Sequence, residues 1–110
     1  MSGYDITLKR GDTRHAIKAV LKDTDGNPVN LEGCTVAFRM AALGQPAVID
    51  RAAHIQDPVA GEVWVVLAAE EVQTPGIYRA ELQVVYGDGR KETFPNTGYL
   101  SIQILKTLEG

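Results

Sequence analysis

Across 110 residues this sequence holds one cysteine, two histidines, one tryptophan and an aromatic share of 6%, and each scarcity closes off a class of protein. With Cys34 alone, no disulfide forms within the chain and packing must carry the fold. A lone thiol in a strand-like setting reads as a small buried hydrophobe rather than a reactive group. His15 and His54 have no further candidate ligand at metal-site spacing, and each falls on a strand face opposite the apolar set. Both read as solvated surface residues, and no metal or cofactor is expected. So few aromatic residues argue against an aromatic-lined platform as the dominant surface. No apolar run approaches the ~20 residues of a membrane-spanning helix, and the first residues lack the basic-then-apolar order of a secretory signal. The expectation is a soluble chain made in a cytoplasm, without a membrane partner. The net charge is -3, and it is diffuse: residues 1–55 carry seven basic and six acidic groups, residues 56–110 four and eight. That is no concentrated basic field, and a nucleic-acid partner is not expected.

Groups that could perform chemistry are present singly and do not converge. A nucleophile needs a hydroxyl or thiol beside an oriented base, whereas Ser2 is at the terminus, Ser101 lies within a strand and Cys34 reads as buried. Glu70 and Glu71 are adjacent and so diverge, which suits a solvated turn better than an acid/base pair. Asp23-Thr24-Asp25-Gly26-Asn27 has carboxylates at alternate positions, but Gly26 stands fourth where an EF-hand loop has its glycine sixth; the segment reads as a plain turn. Gly87-Asp88-Gly89 lacks the third glycine of a phosphate loop, with Glu92 in its place, and reads as a hairpin of type I′. No catalytic residue is assigned, and an enzyme is not expected.

What the sequence does have is alternation. Ile6 and Leu8; Ile17, Ala19 and Leu21; Val36, Phe38 and Met40; Val63, Val65 and Leu67; Tyr78, Ala80, Leu82, Val84 and Tyr86; Leu100, Ile102 and Ile104 each form the apolar half of a period-two run, the signature of strands with one face on a core. Two further short strands are expected over 47–51 and 53–56, a return strand over 90–94, and loops at 23–28, 41–46, 57–61 and 95–98. The segment 68–72 is too short for an independent helix and predicts a single helical turn. Eleven glycines and five prolines fall between the runs, as many short strands require. A chain of this size buries roughly 65% of its unfolded surface, enough for one core. A single open sheet would leave an apolar face in water, so the reading is an all-β, immunoglobulin-like antiparallel β-sandwich of about seven to nine strands, one domain over residues 1–110.

Four residues stand out from this grammar. Tyr78 follows Thr74-Pro75-Gly76 where a tyrosine corner would sit, its hydroxyl bonding to backbone a few residues upstream and fixing the crossover between sheets. Trp64, between inward Val63 and Val65, must face away from the core. A tryptophan left outside is costly unless another surface covers it. Val66, and Val85 if it shares the sheet, would enlarge that patch into a partner interface. A rival use, a carbohydrate-binding module or adhesin, would draw on Trp64, Tyr86 and Tyr99.

Read in order, Asp5-Ile6-Thr7-Leu8-Lys9-Arg10-Gly11-Asp12-Thr13, Leu21-Lys22-Asp23-Thr24-Asp25-Gly26-Asn27-Pro28-Val29-Asn30-Leu31, the strand start at 33–40, Ala60-Gly61-Glu62-Val63-Trp64, Thr74-Pro75-Gly76-Ile77-Tyr78-Arg79-Ala80-Glu81 and the segment 89–95 give nearly the whole chain a resemblance. It resembles the N-terminal immunoglobulin-like domain of the baseplate upper protein family of tailed phages and prophages. The resemblance implies a non-enzymatic structural protein of the phage virion, assembled after synthesis in the bacterial cytoplasm. It would be a tail or baseplate adaptor, or a neck or capsid-decoration protein of the same fold. Implied partners are other virion proteins of the tail, baseplate or neck, further copies of itself among the options, and the domain would carry or position a receptor-binding component.

Overall fold

The longest alternating run becomes the strand on which the larger sheet is built. The computed structural model describes residues 6–11, 16–42, 44–45, 47–95 and 98–108. Among them are β1 (Ile6–Lys9), β2 (Ile17–Val20), β3 (Thr35–Ala42), β4 (Ala47–Ala52), β5 (His54–Asp57), β6 (Glu62–Val65), β7 (Gly76–Val85), β8 (Lys91–Phe94) and β9 (Leu100–Leu105), with a 3-10 turn at Ala69–Val72. One sheet runs β1-β9-β7-β3-β4 with β8 also on β7; the other runs β2-β6-β5. β7 pairs with β3 from Tyr78↔Ala42 to Val85↔Thr35. Its other flank is divided, Gly76 to Ala80 against β9 and Leu82 to Val85 against β8.

The inward half of each run meets in one core. Phe38, Met40, Val36, Leu82, Val84, Ile102 and Ile104 of the larger sheet and Ile17, Val63 and Val65 of the smaller are all buried, joined by Leu31, Leu67 and Val72 from the connections. Ile6, Leu8 and Leu100 pack against this core half-buried. Cys34, read as buried, is likewise half-buried, packing at the core margin with its Sγ 3.6 Å from the Glu32 carbonyl.

Four expectations are corrected. β1 lies parallel to β9, from Ile6↔Ile102 to Lys9↔Leu105, so the larger sheet is mixed rather than antiparallel. Alternation fixes which side chains face inward and is silent on strand direction, and no hairpin joins these two strands to impose one. β3 continues through Ala42, and the break expected at Ala41 is a register shift between Met40 and Ala41 within the ladder to β4. β4 runs on to Ala52, leaving Ala53 alone between it and β5, its N–H donating to the Val36 carbonyl at 2.8 Å; a nearly continuous strand thus passes from one sheet to the other. The hairpin after β7 is not type I′, which needs positive φ at both central residues. In this loop only Gly89 has it, at 89°, with its N–H on the Tyr86 carbonyl at 2.9 Å and the Tyr86 N–H on that of Arg90 at 2.8 Å. This is a three-residue loop ending in a left-handed glycine. The expected turn at 95–98 and His15 fall partly or wholly outside the described residues, as does Ser2.

Gly61 shows how tightly one corner is drawn. Its φ is +68°, and a Cβ there would stand 2.7 Å from the Leu21 carbonyl oxygen and 2.9 Å from that of Val29. Only glycine lets the chain before β6 approach both segments so closely.

Two measurements follow from this packing. Leu82→Ala, at a side chain 2% exposed, should lower the unfolding free energy by roughly 2–5 kcal/mol in denaturant titration. At the end of the core the Tyr86 hydroxyl donates to Glu92 Oε1 at 2.6 Å. Burial first, then the Glu92 carboxylate, pushes its pKa from 10.0 up to about 12. A raised folded value means that this stabilisation is complete below the unfolded pKa and is lost as pH climbs through the folded one. The wild-type protein should therefore lose stability between pH 10 and about 12, and Tyr86→Phe should remove that part of the alkaline loss in melts run at successive pH values.

Candidate functional site

The smaller sheet turns Trp64 outward because its neighbours Val63 and Val65, 0% and 2% exposed, are claimed by the core. On that outer face the register sets Trp64 beside Lys18 of β2 and beside His54 of β5. The Lys18 ammonium lies 4.5 Å from the ring centroid, a cation over the electron-rich face of the indole. Trp64 is therefore half-buried rather than exposed: the lysine stem and the neighbouring strands cover part of it. Its Nε1–H is buried and has no acceptor among the described residues. Such an orphaned donor costs about 1–3 kcal/mol. His54 is exposed, its Nε2 3.1 Å from Gln56 Oε1.

Val66, next after β6, is 60% exposed, and its main chain is held from the other sheet. Arg51 of β4 donates through Nη1 to the Val66 carbonyl and pairs with Glu71 at 3.2 Å. Glu71 in turn accepts the Ala68 N–H at 2.7 Å. One guanidinium thus fastens the chain between β6 and the 3-10 turn across the sandwich. Glu70 is exposed, whereas Glu71, expected with it in a solvated turn, is half-buried on Arg51 and the Ala68 N–H.

The structure does not bring Val85 to this patch. Val84 is fully buried, which turns Val85 to the outer face of the six-stranded sheet, beside Thr35 and Lys91, on the opposite side of the molecule from Trp64. The three aromatics of the carbohydrate reading are also dispersed. Trp64 is on the smaller sheet, Tyr86 holds Glu92 at the end of the core, and Tyr99 stands beside Arg79, 5.3 Å from ring to guanidinium, on the larger sheet. That larger outer face is polar, with Arg39 on Asp50 at 3.2 Å and on Gln83 at 3.1 Å.

Tyr78 is 7% exposed, and its hydroxyl donates to the Thr74 carbonyl at 2.5 Å, tying the start of β7 to the segment that leaves the 3-10 turn. Asp23 spends Oδ1 on the N–H groups of Asp25 and Asn27, both at 2.9 Å, closing its own turn. Among the described residues no three His, Cys, Asp or Glu side chains gather where a metal ion could sit. Sequence reasoning missed Lys18, Arg51 and Val20, the last 48% exposed on β2. The outward parity of Lys18 and Val20 was readable, but their neighbours depend on strand order.

Residues 3–106 match the family model of the BppU N-terminal domain, that of the baseplate upper protein. The chain belongs to this family. A BppU N-terminal domain is a component of the phage baseplate, so this domain has a structural role in the phage tail or baseplate, in association with other virion proteins. Its fold is similar to the N-terminal domain of phage TP901-1 ORF48, with a TM-score of 0.58, 17% identity, and coverage of 92% of this chain and 82% of that one. At that identity the likeness speaks to the fold alone. No curated protein matches the chain.

Tyr78→Phe keeps the ring and deletes only the hydroxyl, so it should cost on the order of 1 kcal/mol, the net worth of one such bond. Equilibrium unfolding of the two proteins side by side measures it.

Proposed function

We propose that this single domain is a non-enzymatic docking adaptor of a tailed-phage baseplate or tail, and that it meets its neighbour through the outer face of the three-stranded sheet around Trp64 and Val66. The observation that carries the proposal is the indole of Trp64. It sits on a strand paired on both flanks, faces outward, and holds a buried N–H with no acceptor among the described residues, so a partner that reseats the ring and offers a carbonyl or carboxylate relieves a standing cost. Tryptophan is also the side chain most often found at the energetic centre of protein interfaces. The Arg51 tether supports the same reading, because it fixes the backbone that displays Val66 and spares the partner the cost of ordering it. Family membership favours baseplate or tail over neck or capsid. Repetition within a particle would multiply a modest contact by avidity. The dispersal of Trp64, Tyr86 and Tyr99 weighs against the carbohydrate-binding alternative.

Trp64→Ala and Val66→Asp, introduced separately into the phage, should leave the purified domain folded by circular dichroism. Each should lower its incorporation into particles, measured by quantitative mass spectrometry, by at least about tenfold, as expected for an interface centre worth 1.4 kcal/mol or more. Normal incorporation of both variants would overturn this choice of face. Absence of the wild-type chain from particles would overturn the virion role itself.

A further inference from the structure

Three strands face six, and the smaller sheet stops short of the larger one's flank. Beside β2 a cleft of about 310 Å³ opens between the sheets, lined by Ala19 and Val20 on one wall and Leu82, Phe94 and Leu100 on the other, with Lys22 the one ionisable group among the described residues of its lining. Among the described residues β2 is an edge strand whose only partner strand is β6. Leu21 turns both its peptide groups into the sheet, its N–H to the Gly61 carbonyl at 2.8 Å and its carbonyl to the Val29 N–H at 2.9 Å. Successive residues of an antiparallel ladder point their peptide groups to opposite flanks, so those of Val20 and Lys18 face the open side.

An open edge beside an apolar trough is the arrangement into which a further strand fits. Main-chain bonds would run along β2, and every second side chain would drop between the sheets where the missing fourth strand of the smaller sheet would place it. Charge selects the occupant. Lys18 and Lys22 are both exposed at this edge, and Lys22 makes no ion pair among the described residues. The nearby Asp23 carboxylate is engaged by its own turn.

We propose that the β2 edge and this cleft receive an extended segment of another protein, alternating apolar with polar residues, its apolar side chains entering the seam and acidic ones meeting Lys18 and Lys22. This goes beyond the docking face around Trp64, because it names a second point of attachment, the form of its occupant and its charge.

The test is selection of short displayed segments on the immobilised domain. The library places Val, Ile or Phe at alternate positions and Thr, Asp, Glu or Lys between them, and the enriched segments are measured by calorimetry. The expected winners carry Asp or Glu between the apolar positions. Val20→Pro removes the outward N–H, a change that edge strands tolerate, and should weaken them at least about tenfold, equivalent to 1.4 kcal/mol. Lys22→Glu, at an exposed side chain, should weaken acidic segments about threefold or more and guards against a misfolded proline variant. Trp64→Ala, which removes the ring beneath Lys18 but none of the β2 peptide groups, should weaken them less than Val20→Pro does. The proposal is overturned by a library that yields no enrichment, by winners indifferent to both Val20→Pro and Lys22→Glu, or by winners that lose more affinity with Trp64→Ala than with Val20→Pro. A domain dimer in sedimentation that Val20→Pro dissolves would also overturn it, since a second copy would then be the occupant.

Discussion

The pairing of β7 on both flanks is the constraint on which the rest of this structure depends. Along one side it holds β3 without interruption, and along the other it holds β9 and then β8, so the other five strands of the larger sheet are placed by it directly or at one remove, β4 through β3 and β1 through β9. Its inward side chains, Tyr78, Ala80, Leu82 and Val84, are all buried. A strand committed in this way cannot slip by one residue without turning that whole set to solvent. The neighbouring strands inherit their register from it.

The second sheet is small, and what seats it is a set of ties at the margins of the core. Ala53 lets one strand change sheets within a single residue, Tyr78 closes the corner before β7, Gly61 allows three segments to converge, and Arg51 reaches from β4 to the Val66 carbonyl and the Glu71 carboxylate. These contacts are few and local. Their effect is to hold a three-stranded sheet at a fixed attitude over a six-stranded one, which gives the molecule rigid outer faces and a seam where the smaller sheet runs out.

A body of this kind suits assembly. Backbone held in a closed sheet lowers the ordering cost of each contact with a neighbour. Membership of the BppU N-terminal domain family sets that body within a phage tail or baseplate. Within it, the two surfaces that depart from ordinary solvated sheet are the Trp64 face, with its unpaired indole N–H, and the β2 edge with its apolar cleft. They adjoin through Lys18, which lies over the indole on one side and whose peptide group belongs to the open edge on the other.

Much of this was readable in the amino-acid order. Period-two alternation assigned the inward faces of β2, β3, β6, β7 and β9, and it marked Trp64 as outward, because a strand offers each side chain only two directions and the apolar set takes one of them. Turn chemistry marked the reversal at Asp23-Thr24-Asp25-Gly26-Asn27 and the helical turn before Pro75. Other features waited on the assembled fold: the parallel run of β1 beside β9, the opposite placement of Trp64 and Val85, the Lys18 cover on the indole, the reach of Arg51 and the cleft beside β2. Each depends on which strands become neighbours and in which sheet. Local pattern carries no such information, since parity along a strand is set by backbone geometry whereas adjacency between strands is settled only when the whole core closes.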